Sequence, residues 1–153
     1  MASVGSKHRP CRLMVIEDDE DDVFLLERAL DRVRDRLKIE VQCERAEDGL
    51  EGLFRISMED VTEALPDALV LDLNMPRLGG VQFLRALRQS LLLKDLPVFV
   101  LTTTTSGSIH EEALQAGADR VYVKPNDADA LSDIAGEIVE ASCNAAVGRL
   151  GAP

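Results

Sequence analysis

Tryptophan is missing from this 153-residue chain, and aromatic rings come only from four phenylalanines and one tyrosine. Bases are also in short supply, 17 against 28 acids, for a formal charge of -11. Nucleic-acid surfaces need cationic patches and rings on which bases stack, so the two shortages argue against a nucleic-acid partner. Cys11, Cys43 and Cys143 are odd in number, widely spaced and without any CxxC or Cys/His spacing, which argues against zinc and predicts free thiols. No apolar run approaches the roughly 18 residues of a membrane span, and the first ten residues lack the apolar core of a secretory signal. A cytoplasmic protein with no membrane contact is the expectation. GxxxxGK[ST] and GxGxxG loops are absent as well, which sets aside nucleotide binding through either.

The stretch Ala68 to Pro76, ALVLDLNMP, organises what is present. Four apolar residues bounded by prolines read as a buried strand that delivers Asp72 to its carboxyl end, the edge at which open α/β sheets do their chemistry. Three other strand-like runs end in the same manner. Met14 to Ile16 leads into Glu17 and Asp18, Val98 to Leu101 into Thr102, and Val121 to Val123 into Lys124.

Between these strands lie helical patterns. Val23, Leu26, Leu30, Val33 and Leu37 recur at threes and fours over residues 20 to 37, and the acids at 20 to 22 complement the positive end of that helix. Ile39, Val41 and Cys43 alternate with polar residues, predicting a strand at or near the sheet edge. Helices are expected over 47–63, after Gly79-Gly80, over 108–116 with Gly117 ending it, and over 127–141. Leu91, Leu92 and Leu93 cannot all face inward. Five βα units imply one α/β domain with a parallel sheet covered on both faces. The expected organisation is a flexible lead over 1–11, the domain over 12–142 and a tail over 143–153, with no output domain.

If the strands are parallel, their ends gather three carboxylates (Glu17, Asp18, Asp72), a hydroxyl (Thr102) and an ammonium (Lys124). Clustered carboxylates require protonation or a cation, and Mg2+ suits an all-oxygen site. A carboxylate can also attack phosphorus, with the metal, the ammonium and the hydroxyl facing the phosphoryl oxygens.

In motif order and spacing, over roughly residues 12 to 140, the chain resembles the receiver domains of two-component response regulators. The resemblance implies a (βα)5 doubly wound, flavodoxin-like sheet of order 2-1-3-4-5. It implies Asp72 as phosphoacceptor, and Mg2+ held by Glu17, Asp18, Asp72 and the backbone carbonyl of Asn74, with Mn2+ or Ca2+ able to substitute in crystals. It further implies phosphoryl contacts from Thr102, Thr103 and Lys124, and a cis Lys124-Pro125 bond. The implied function is phosphoryl transfer from a sensor histidine kinase onto Asp72, read out through altered protein contacts, a homodimer being one of them. Self-phosphorylation from small donors and slow autodephosphorylation are expected, short of conventional enzyme activity. Glu17 as first acid, DLNMP around Asp72 and the threonine run are similar to the small regulators associated with bacterial phytochromes.

Two departures stand out. The family often has an acid where this chain has Gly79, which predicts a more mobile loop. The usual aromatic switch position, three before the lysine, is Val121, with Tyr122 one place later, so a different relay is expected. A Mg2+-dependent phosphohydrolase with an Asp nucleophile is the rival reading, but Asn74 replaces the second acid that such chemistry uses. A non-phosphorylated pseudo-receiver would have no reason to keep all five residues.

Overall fold

Ala68–Leu71 forms β3, the middle strand of the sheet, in the computed structural model of the protein, which describes residues 9–62, 65–91 and 93–144. The other strands are β1 (Cys11–Ile16), β2 (Val41–Ala46), β4 (Val98–Thr102) and β5 (Arg120–Val123). All are parallel, in the order β2-β1-β3-β4-β5. The helices are α1 (Glu20–Leu37), α2 (Gly49–Thr62), α3 (Gly80–Arg88), α4 (Gly107–Ala116) and α5 (Ala128–Val139), followed by a π-helical turn over Glu140–Asn144.

Strand residues alternate between two cores because successive side chains point to opposite faces. Leu13, Val15, Val70, Phe99 and Leu101 pack against Leu26, Leu30 and Val33 of α1 and Ile138 of α5. Met14, Ile16, Leu69, Leu71, Val98 and Val100 face Ile56 of α2, Phe83, Leu84 and Leu87 of α3, and Ala113 of α4. Burial on both faces explains why these strands read as continuous apolar runs.

Local signals set the helix ends. Asp19 caps α1 by accepting from the N–H groups of Asp21 at 2.8 Å and Asp22 at 3.3 Å. Asp127 caps α5 in the same way. Gly117 ends α4 at φ 120°, a conformation that favours glycine.

β2 starts two residues later than the alternation predicts, because the pairing of Cys11 through Ile16 with Val41 through Ala46 sets its register. The expected free thiols are corrected: Cys11 and Cys143 are joined in a disulfide, their Cα atoms 5.7 Å apart. Sequence separation hid the pair, since only the return of the last helix to the first strand brings the two together. Cys143 therefore belongs to the folded segment and not to a tail, just as Cys11 belongs to β1. Cys43 keeps a free thiol, which burial pushes up to about 12. Leu91 is exposed and Leu93 buried, while Leu92 and residues 1–8 and 145–153 of the expected lead and tail lie outside the described residues. Among the described residues, no helix is long and apolar enough to cross a membrane.

Gly80 opens α3 directly against the loop that follows β3. A Cβ there would lie 2.7 Å from the Asp72 carbonyl oxygen and 2.8 Å from the Leu73 Cα, so only glycine allows the helix this close. Gly80→Ala is expected to destabilise the protein by about 1–3 kcal/mol, the usual range for forced overpacking. Urea unfolding checks this, and an unchanged midpoint would show that the helix shifts freely.

Candidate functional site

β1 and β3 lie side by side, so the residues following them emerge together at the carboxyl edge of the sheet. Carboxylate oxygens of Glu17, Asp18 and Asp72 all lie within 4.8 Å of one another. Glu17 and Asp72 are buried and Asp18 is exposed, so the cluster opens on one side. From the end of β5, Lys124 Nζ donates to Glu17 Oε1 at 2.6 Å and Asp22 Oδ2 at 2.7 Å, and stands 3.8 Å from Asp72 Oδ1.

Burial dominates the electrostatics. It pushes the Glu17 carboxyl up to about 7, with the Lys124 hydrogen bond pulling down and the Asp72 charge pushing up. Burial likewise raises Asp72, opposed by the Lys124 charge, by N–H bonds from Asn74 and Leu73, and by a hydrogen bond from Glu17. Burial pulls the Lys124 ammonium down, but its bonds to Asp22 and Glu17 and the Asp72 charge outweigh that and leave it raised. The raised Glu17 and Asp72 carboxyls favour taking up a proton at this cluster, and a divalent cation would compete with it. The donors are all oxygen, with one side open to water, which fits Mg2+.

Thr102, at the end of β4, is fully buried, and its Oγ1 accepts from the Thr104 N–H at 3.2 Å. His110 of α4 bonds the Thr104 carbonyl through Nε2 at 2.8 Å, tying the threonine loop to the helix behind it. Thr103 and Asn74 are exposed at the same edge. The Lys124-Pro125 bond, implied to be cis, is trans, and no cis bond occurs among the described residues. X-Pro amides keep a trans preference unless tertiary contacts override it. Here the trans form already lets Lys124 N–H donate to the Thr102 carbonyl at 2.7 Å while Nζ reaches the acids.

Three positioning residues had no assigned part in the sequence reading. Asp22 holds Lys124, although its place in the first turn of α1 suggested only a dipole contribution. Its position four residues before Leu26, on the inward stripe, is the signal that could have found it. Arg45 of β2 donates through Nε to the Glu17 carbonyl and through Nη2 to the Asp18 carbonyl, each at 3.1 Å, fixing the backbone of the acidic pair. Arg77, at φ 68° in the Asp72 loop, donates through Nε at 2.9 Å and also through Nη2 to Asp48, a buried acid that caps the start of α2. Backbone bonds from Glu51, opposed by burial and helped by Arg77, hold the Asp48 carboxyl below its ordinary range. With Gly79 N–H on Gln82 Oε1 at 3.1 Å and Gly80 N–H on the Leu73 carbonyl at 3.0 Å, the loop expected to be mobile is tied at several points.

The cavity bounded by Glu17, Asp22, Asp72 and Lys124 on one side and by apolar residues such as Leu26 and Leu131 on the other has a volume of about 40 Å3. Ligand pockets for small organic molecules run to roughly 300 Å3 and above. This one suits waters, an ion or a small group, and not an organic substrate.

A model described as the response regulator receiver domain matches residues 13–135. The transcriptional regulatory protein PrrA of Mycobacterium leprae is 41% identical over 114 residues, covering 74% of this chain and 43% of PrrA. The chain thus aligns with less than half the length of that curated relative. The response regulator RPA3017 in red light signaling of R. palustris is 27% identical, with a TM-score of 0.77, covering 89% of this chain and 95% of that one. The phosphorylated cyanobacterial phytochrome response regulator RcpA shares the fold at a TM-score of 0.79 and 22% identity, covering 90% of this chain and 96% of that one.

The raised Glu17 carboxyl carries a pH signature. Between its ordinary 4.5 and about 7, folded metal-free protein keeps a proton that the unfolded chain releases. Stability should therefore decline as pH rises through that window, because the native state binds more protons. Melting temperature followed from about pH 5 to about pH 8 in chelator should fall. Glu17→Gln should flatten the slope, and an equal slope in that variant would assign the proton elsewhere.

Proposed function

The chain belongs to the response regulator receiver domain family, and on that premise we propose that Asp72 accepts a phosphoryl group from a sensor histidine kinase. The observation that carries this is the buried Asp72 carboxylate at the carboxyl edge, within reach of Lys124 and beside two further acids. Receiver domains bind Mg2+ and interact with sensor histidine kinases as a family. In this chain Glu17, Asp18, Asp72 and the Asn74 carbonyl would hold the Mg2+, whose charge offsets that of the phosphoryl oxygens when bound.

Each residue has a task in that reading. Asp72 must be ionised to attack, and the Lys124 charge together with the N–H groups of Asn74 and Leu73 opposes the burial that favours its neutral form. An Asp72 oxygen bonds to phosphorus as the phosphorus–nitrogen bond to the donor histidine breaks. Lys124, already anchored by Asp22, then turns its ammonium towards the new phosphoryl oxygens, and the Thr102 and Thr103 hydroxyls serve the others. The domain runs from Cys11 through Asn144 in this proposal.

Readout passes through protein contacts. Ile109 and Leu114 of α4 and Val123 of β5 are exposed apolar residues on a face formed by the last two helices and their strand, which supports docking or homodimer formation there. The bacterial phytochrome association is part of this proposal, supported by the likeness to RPA3017, a response regulator in red light signaling.

Val121 packs against the α3 and α4 core, whereas Tyr122 packs on the α1 and α5 side with its hydroxyl donating to Glu137 Oε1 at 3.1 Å. Tyr122 lies on the face opposite the threonine, and Val121, with one stiff χ1, lacks the reach to swing with it. The relay proposed instead begins when Thr102 Oγ1 turns to the phosphoryl group and leaves the Thr104 N–H, shifting the loop that His110 ties to α4.

Mass spectrometry after incubation with acetyl phosphate and Mg2+ should show one added phosphoryl group, lost in Asp72→Asn and in chelator. Modification of Asp72→Asn to the same extent would overturn the assignment. For the relay, the phosphorylation-dependent change in amide exchange across residues 102–117 should vanish in Thr102→Ala and survive in Tyr122→Phe and Val121→Ala. Loss in either β5 variant without unfolding refutes the loop route.

A further inference from the structure

We propose that Cys11 and Cys143 form a reversible redox site whose disulfide straps the end of the C-terminal helical segment to the first strand. The two residues are 132 positions apart, yet their sulfurs are bonded and both are almost wholly buried. Cys11 opens β1 at the amino edge of the sheet, the edge opposite Asp72. The six steps from there to Glu17 span roughly 20 Å at about 3.3 Å per residue. Oxidation at this site therefore acts on the anchoring of α5 and not on the phosphoryl chemistry by contact.

The helix changes its winding where the bond is made. After Val139 the chain enters the π-helical turn over Glu140–Asn144, in which Ser142 Oγ donates to the Ile138 carbonyl at 2.6 Å. Such turns break the α-helical phase of the following side chains and recur at functional positions. Cys143 lies four residues after Val139 and eight after Ala135, and all three are buried in the core that also holds Cys11.

A third group completes the surroundings. Asp67 Oδ2 lies 3.9 Å from the Cys143 sulfur, and the same carboxylate accepts from Arg9 Nη2 at 2.6 Å and from the Arg12 N–H at 2.8 Å. Cys11, Asp67 and Cys143 could also be read as three metal ligands. The guanidinium and N–H already satisfy Asp67, however, and the sulfurs are bonded to one another, so the redox reading is favoured.

The chemistry balances with a peroxide as oxidant. One thiol gives up its proton, and the thiolate takes an oxygen from hydrogen peroxide to form a sulfenic acid; the hydroxide released takes up that proton and leaves as water. The second sulfur attacks that sulfur and a second water leaves, so two thiols and one peroxide give one disulfide and two waters, with two electrons passing to the peroxide. An external dithiol reverses the bond by exchange and is itself oxidised. Access requires the turn over Glu140–Asn144 to lift from Cys11, a local opening that costs less than unfolding the whole domain. In a reducing compartment such a bond is a sensor and not a permanent staple.

The full chain tests this. After peroxide treatment, denaturation and alkylation, one thiol, that of Cys43, should react and the protein should have lost two hydrogens; dithiothreitol should restore three reactive thiols. Reduction should lower the melting temperature by on the order of 10 °C, because the bond closes a loop spanning nearly the whole fold. It should also speed amide exchange over residues 138–144 more than about tenfold. Cys43→Ser should keep both responses and Cys11→Ser should abolish them. Three reactive thiols after peroxide, a bond formed only between two chains, identical melts in both redox states, or a metal ion retained by the reduced pair in native mass spectrometry would each overturn the proposal. The thiol count on the unmodified sequence decides the matter even if Cys11→Ser fails to fold.

Discussion

A single ammonium, Lys124, stands among Glu17, Asp22 and Asp72 with Asp18 close by, and the carboxyl edge of the sheet is arranged around that imbalance of charge. One cation cannot neutralise four acids at this separation when two of them are buried, so the cluster retains a proton or recruits a metal. Either solution keeps the site poised. In the proposed reaction the transferred phosphoryl group, itself negative, would need cations around it, and a divalent cation held by these acids together with Lys124 would supply them. Stability and chemistry at this edge are thus two consequences of one electrostatic shortfall.

Holding like charges together demands a rigid frame, and the frame is made of bonds to backbone and one side-chain ion pair. Arg45 clamps the carbonyls of Glu17 and Asp18 from the edge strand, and Arg77 pins the Asp72 loop to Asp48. Gly80 lets α3 start against the Asp72 carbonyl, while Asp19 satisfies the first N–H groups of α1. None of these residues touches a phosphoryl group in the proposed reaction. Their part is to keep carboxylates within 4.8 Å that repulsion would otherwise spread.

The opposite edge carries a different constraint. There Asp67 joins Arg9 to the start of β1, and the disulfide joins β1 to the end of the helical chain. Chemistry at one edge and anchoring at the other are separated by the length of the strands, so each can change without reshaping the other. Tyr122 bonds to Glu137 and Arg120, and so ties β5 to α5 on the side that the disulfide also secures.

Strand periodicity, helix stripes and the residues placed after each strand were legible from the sequence, because buried parallel strands need unbroken apolar runs and strand ends in such sheets share one edge. That was enough for the βα order, the strand order implied by the family resemblance, and the gathering of Glu17, Asp18, Asp72, Thr102 and Lys124. Only the tertiary structure decided what depends on register and on long-range return of the chain. The β2 register, the Asp22 contact to Lys124, the Arg45 and Arg77 clamps, the trans Lys124-Pro125 bond and the Cys11–Cys143 pair all belong to that class. Local pattern reports which face a side chain takes; which distant partner waits on that face is settled when the helices pack onto the sheet.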